Sequence, residues 1–213
     1  MSESELTSLP LTDFIAQLAS GTPVPGGGSA SALAGAMAAA LVAMVARLTV
    51  GRPANAGEEM QALEILADAE RLREELLALA EKDADAYSAL VTARRLPKES
   101  PGERAVRAAA VETAGTIATE VPLETARLAE ETLQLAVRIA PIGNRNAVSD
   151  AGVAALLAAT AVRGAALNVR INLPDLAPDT PLREVAGIEL GRLEADVARG
   201  EARALADVAA RMA

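Results

Sequence analysis

The chain contains no cysteine and no histidine, and Tyr87 and Phe14 are its only aromatic residues. Without thiols it has no disulfide framework and no thiolate nucleophile. Without imidazoles it has no histidine base and no zinc site of the usual kind. Acid–base chemistry therefore falls to Asp, Glu, Lys, Tyr or ordered water, and no metal centre is expected. Apolar residues make up 51% of the sequence but aromatics only 1%, so the core has to be alanine, leucine and valine. Alanine-rich segments without β-branched enrichment favour helices at close interaxial distance over sheets. A net charge of −9 argues against a nucleic-acid partner, which needs a basic face. The N-terminal MSESELTSLP has neither a basic region nor an apolar stretch, so no signal peptide is expected and a cytoplasmic location is. The apolar run 29–46 approaches the length of a membrane span. It is mostly alanine, which gains little in lipid, and it carries Ser31 and Gly35. A buried central helix without a membrane partner is the expectation.

At 213 residues the chain is read as one domain, 1–213, able to bury a real core. A short helix is expected from a Thr12 cap with Phe14, Ile15 and Leu18 inward, then a helix 29–49 with Ser29 as N-cap. Gly51, Pro53 and Gly57 interrupt the pattern. Residues 58–96 contain neither glycine nor proline. As one helix they would be roughly 60 Å long, against about 45 Å for a compact globule of this size. Such a helix either kinks or is covered by a second subunit, and a homodimer is the expectation. Ser100, Pro101 and Glu103 form a capping box that opens a helix to about Glu120, with Pro122 starting or kinking another through Arg138. Pro141 and Gly143 end it, Ser149 and Asp150 start a helix to about Asn172, and 182–212 form a final amphipathic helix. No strand pattern is present. The architecture expected is all-α, a multihelical bundle with a long central helix.

The stretch TPVPGGGSASA at 22–32 reads as a glycine-rich loop feeding a helix start, where unpaired N–H groups could meet an anionic group. It is no P-loop, because no lysine precedes Ser29, and Gly26, Gly27 and Gly28 lack the dinucleotide spacing. A tight turn between closely packed helices is the alternative. On a helical wheel Ile65, Ala69, Leu72, Leu76, Ala80, Tyr87 and Leu90 share a stripe with Asp83 in its middle, while Asp85 faces away. A carboxylate on a core-facing stripe has a raised pKa, as a general acid/base near neutral pH requires, or else it is a structural Asp bonding a facing helix end. Tyr87 offers a planar ligand a ring to stack on, or fills core. Lys98, with Arg94 and Arg95, suits a carboxylate tail, or is a solvated helix end. Asn144 and Asn146 precede Ser149–Asp150. Asn168 and Asn172 lie one turn apart on one face and suit the amide edge of a heterocycle or free backbone groups.

Six segments in this order resemble the cyclodeaminase/cyclohydrolase family of folate one-carbon enzymes: PGGGSASAL at 25–33, DADAY at 83–87, RLPK at 95–98, VPL at 121–123, GNRNAVSD at 143–150 and NVRINL at 168–173. Without a formiminotransferase domain the chain resembles the stand-alone form. The resemblance implies an intertwined helical homodimer that binds a tetrahydrofolate derivative, with or without a polyglutamate tail, and needs no cofactor beyond that substrate. It implies closure of 5-formimidoyltetrahydrofolate to 5,10-methenyltetrahydrofolate with release of ammonia, or alternatively hydrolysis of the methenyl ring to 10-formyltetrahydrofolate. The family's acidic catalytic residue falls in DADAY and is placed at Asp83, since the wheel turns Asp85 away. Gly26, Gly27, Gly28 and Ser29 would hold the folate's polar edge or tail, and Asn144, Asp150, Asn168 and Asn172 would orient the ring. Tyr87 and Lys98 complete the implied substrate contacts. A non-catalytic folate-binding or scaffold dimer is a reading of a different class, which Asp83 on an apolar stripe opposes.

Overall fold

The computed structural model describes residues 6–52 and 56–213; Pro53 and the N-terminal residues 1–5 lie outside them. Among the described residues there are six α-helices and no strand: α1 (Leu11–Leu18), α2 (Gly27–Thr49), α3 (Ala56–Arg94), α4 (Pro101–Ile139), α5 (Val148–Asn172) and α6 (Pro181–Met212). Short 3-10 turns at Leu6–Ser8, Arg145–Ala147 and Leu173–Asp175 complete it. The helices α2, α3, α4 and α5 pack as a four-membered bundle, and α6 lies outside across α4 and α5.

The centre is α2 against α5, and it is built of alanine. Ala32, Ala39, Ala43, Ala155, Ala158 and Ala165 are completely buried. Small side chains let helix axes approach closely. Where α2 meets α5, a Cβ on Gly164 would come within 2.4 Å of Ser31 Oγ. Length and composition would allow both α2 and the α5 region to cross a membrane, yet most of each stretch is packed inside the bundle. Larger side chains come from the flanking helices: Ile65, Leu72 and Leu76 of α3, and Leu133 and Ile139 of α4.

The expected stripe on α3 is the buried one, apart from Tyr87, which is 37% exposed. The helix is uninterrupted. It runs 39 residues, about 58 Å. The capping box that opens α4 has both of its halves: Ser100 Oγ accepts from the Glu103 N–H at 3.2 Å, and the Ser100 N–H donates to Glu103 at 2.7 Å.

Four expectations are corrected. Pro10, not Thr12, precedes α1, and Ile15 is 53% exposed, because this two-turn helix touches the bundle through Phe14. Ser29 is not the N-cap of α2. Gly26 holds that position, and Ser29 sits fully buried in the first turn. Pro122 does not start a new helix; it lies inside α4, which is one 39-residue element. The bundle therefore has two long helices rather than one. Proline removes an N–H, so the carbonyl four residues earlier loses its partner. That carbonyl is Ala118, and the side-chain amide of Asn172 donates to it at 2.6 Å. A side chain from α5 thus replaces the missing backbone donor and keeps α4 continuous.

Candidate functional site

A cavity of about 210 Å³ opens where the start of α2 meets the middle of α3 and the end of α5. Its floor is the glycine loop, Gly26, Gly27 and Gly28, approached through a cis Val24–Pro25 bond. Asp83 and Tyr87 enter from α3, Asn168, Ile171 and Asn172 from α5, and Ala118 from α4. Among the described lining residues Asp83 carries the single charge.

Three contacts fix that carboxylate. It lies directly over Gly28, where a Cβ would fall 1.9 Å from Oδ1. Glycine is needed here for the close approach alone. The Ser29 N–H donates to Asp83, and Ser29 Oγ lies 3.0 Å from Oδ2. The N-cap Gly26 brings no capping side chain, so a carboxylate from α3 caps α2 across the helix interface. Burial pushes the Asp83 carboxyl above the ordinary aspartate range. The two Ser29 bonds pull the other way, and burial prevails.

Ser29 Oγ lies also 2.9 Å from the Ala80 carbonyl. A hydroxyl has one proton and cannot donate to both oxygens at once. When Asp83 is protonated, its O–H donates to Ser29 and Ser29 donates to Ala80, so every partner is satisfied. When Asp83 is ionised, the Ser29 hydroxyl turns to it and leaves Ala80 to its helical N–H. The buried serine supports both charge states of the acid.

Asn168 and Asn172 are brought together, as expected. Their Nδ2 atoms donate to the carbonyls of Gly164 at 2.9 Å and Ala118 at 2.6 Å. A carbonyl only accepts, which fixes both amide orientations and leaves each Oδ1 free to accept. With the carboxylate, the cavity presents three acceptor groups and suits a ligand rich in N–H donors or positive charge. Tyr87 stands at the rim.

The other expected contacts are placed elsewhere. Ser29 lies beneath Asp83 rather than in the cavity wall. Lys98 is exposed in the α3–α4 connection, outside the lining, while Arg94 is paired with Asp175. Asp85 is exposed. Asn144 and Asp150 lie at the opposite end of α5, whose 25 residues span about 37 Å. Within one chain they cannot orient a ring held near Asp83. The Asn144 side chain is spent locally, donating to the Leu48 carbonyl and accepting from the Asn146 N–H. Asp150 sits in the first turn of α5, where a carboxylate favours the helix dipole. Sequence reasoning missed Ala118, and with it the link to Pro122. The signal was a proline within a long helical pattern and a spare amide on another helix. Among the described residues no group of three acidic, Cys or His side chains could hold a metal.

Comparison with known proteins bears on this arrangement. The family model described as formiminotransferase-cyclodeaminase matches residues 10–186. Over 179 residues the chain is 42% identical to the methenyltetrahydrofolate cyclohydrolase of Methylorubrum extorquens, covering 82% of this chain and 86% of that protein. It is 33% identical over 177 residues to the mouse formimidoyltransferase-cyclodeaminase, covering 83% of this chain but only 33% of the longer mouse protein. The crystal structure of formiminotetrahydrofolate cyclodeaminase from Thermotoga maritima superposes with a TM-score of 0.85 at 29% identity, over 97% of this chain and 98% of that one.

Proposed function

Because this chain belongs to the formiminotransferase-cyclodeaminase family, we propose that it is a folate one-carbon enzyme working on the carbon between N5 and N10 of tetrahydrofolate, with methenyltetrahydrofolate cyclohydrolase as its reaction. The observation that carries the proposal is Asp83: one carboxyl group, its pKa raised by burial, in a cavity whose other described lining residues are uncharged. The choice of reaction is supported by the Methylorubrum relative, which is similar over most of both chains.

The substrate is a cationic amidinium, which a carboxylate and two amide oxygens favour electrostatically. Water adds to the methenyl carbon and gives its proton to the Asp83 carboxylate. The resulting tetrahedral carbinol then collapses. The C–N5 bond breaks, N5 takes the proton from Asp83, and the hydroxyl proton leaves to solvent as the 10-formyl group forms. General acid–base catalysis of this kind contributes about 10²–10⁴-fold in rate. Ser29 donates to the carboxylate when it is charged and accepts from the acid when it is neutral, so neither state is left unpaired.

The cyclodeaminase reading, foremost in the sequence, is supported by the Thermotoga fold and by the longer mouse relative. It asks the same of Asp83: take the N10 proton as N10 attacks the formimidoyl carbon, then give it to the departing amine. Both reactions are followed through the near-UV band of methenyltetrahydrofolate. Faster loss of the band with purified protein is expected, and growth of the band from 5-formimidoyltetrahydrofolate would assign the cyclodeaminase instead. Silence with both substrates would overturn the enzymatic proposal. Asp83→Asn should remove turnover while the fold persists. The proposed partner is a tetrahydrofolate derivative. We propose a homodimer as the assembly, on the length of the 39-residue α3, about 58 Å.

A further inference from the structure

A second cavity, of about 280 Å³, opens at the other end of the bundle, between the ends of α2 and α4 and the start of α5. Along α5 it is about 35 Å from the Asp83 site. Arg52, Arg145 and Arg211 line it, with Glu58 the one carboxylate among its described lining residues.

The three guanidiniums are not neutralised in the way that is usual in this chain. Most of its arginines stand in ion pairs with Asp or Glu, such as Arg127 with Glu189 and Arg170 with Glu194. Arg52 and Arg145 make no side-chain hydrogen bond or ion pair among the described residues. Arg211 reaches back from the last turn of α6 and donates to the carbonyls of Pro141 and Gly143. Those acceptors fix the guanidinium but bring no formal charge. Its Nε is buried with no hydrogen-bond partner in the protein. A buried unpaired donor on a charged group is unfavourable, and a negative charge close to this guanidinium offsets part of that cost. A surplus of positive charge is gathered in one concavity of a protein whose net charge is −9.

We propose that this cavity is a binding site for a small dianionic oxyanion group, a phosphate or a pair of carboxylates. Planar guanidiniums bind both in two-pronged fashion, and a charge of −2 matches three cations set against one carboxylate. The site is separate from the Asp83 cavity, and the proposal stands whether or not the folate reading holds.

Isothermal titration of the full chain with inorganic phosphate, with succinate and with acetate tests it. Saturable binding of phosphate or succinate at low ionic strength is expected, with acetate about tenfold weaker or more. The stronger of the two dianions tells a phosphate ester from a dicarboxylate tail. In the double variant Arg52→Gln/Arg145→Gln that affinity should fall about tenfold or more, with an unchanged circular dichroism spectrum. Arg211 is left in place because it ties α6 to the α4–α5 junction. Absence of saturable binding by wild type would overturn the proposal. So would equal affinity in the double variant, which would assign the anion to other basic residues.

Discussion

Replacing Gly28 by alanine places one methyl group 1.9 Å from Asp83 Oδ1, 2.4 Å from Cγ and 2.6 Å from Oδ2. All three distances lie inside van der Waals contact, so the carboxylate has to leave its place over α2. Doing so breaks the Ser29 bonds, and hydrogen bonds to a charged group contribute about 1.5–3 kcal/mol each. Against this, alanine gains about 0.5–1 kcal/mol over glycine in a helix. The expected net loss is about 2–5 kcal/mol of stability, measured by urea unfolding. Turnover should fall about a hundredfold or more, since misplacing a catalytic group by about 1 Å has that effect. The decisive measurement is the same substitution in an Asp83→Ala background. There the methyl enters space that the carboxylate has vacated, so it should be neutral or stabilising by up to about 1 kcal/mol. The coupling between the two positions is then about 3 kcal/mol, large for a neighbouring pair. Equal destabilisation in both backgrounds, or wild-type turnover in Gly28→Ala, would refute the account of the carboxylate's position.

Ser29→Ala removes the hydroxyl that stabilises the charged acid, so the pH at which Asp83 ionises should move upward in the rate profile; an unshifted profile would detach Ser29 from the chemistry. Asn172→Leu strands the Ala118 carbonyl and should lower stability by about 1–3 kcal/mol. Adding Pro122→Ala restores an N–H to that carbonyl and should recover much of the loss, and no recovery would separate the two residues. Glu189 and Glu194 are held below the usual carboxylate range by Arg127 and Arg170. Their contribution is present above the unfolded carboxylate pKa and is lost as pH falls through the folded value, so Glu189→Gln should flatten the acid limb of stability against pH. Asp83 has the opposite sign. Its folded pKa is raised, so its contribution is complete below the unfolded value and lost as pH rises through the folded one. Asp83→Asn should therefore gain stability relative to wild type between acid and neutral pH, and a constant difference would contradict the raised pKa.

Much of this was legible in local pattern. The α3 stripe, the α4 capping box, the glycine loop entering α2 and the position of Asp83 follow from periodicity and from residues within one or two turns. What was not legible depends on a partner far along the chain. Ser29 has the side chain of an N-cap, but Ala80 and Asp83, more than fifty positions away, engage it as a buried bridge. Pro122 breaks helices by every local rule, and only Asn172, coming from α5, repairs this one. Asn144 lies in one of the resembling segments, and only the fold shows its side chain bonded to Leu48 of α2 and to Asn146 at the end of α5 away from the cavity.

A centre made of alanine has little left to remove. Where Ala39, Ala43, Ala155 and Ala158 meet at zero exposure, the only truncation is to glycine, and every other change is an enlargement. Enlargement in a packed interior typically loses about 1–3 kcal/mol, because the helices must part or a rotamer must strain. Tolerance along α2 and α5 is therefore bounded from above by volume rather than from below by hydrophobicity. A polar serine fits the contact with Gly164, where a leucine has no room. Mutational scanning of the two helices should sort substitutions by size first and by polarity second.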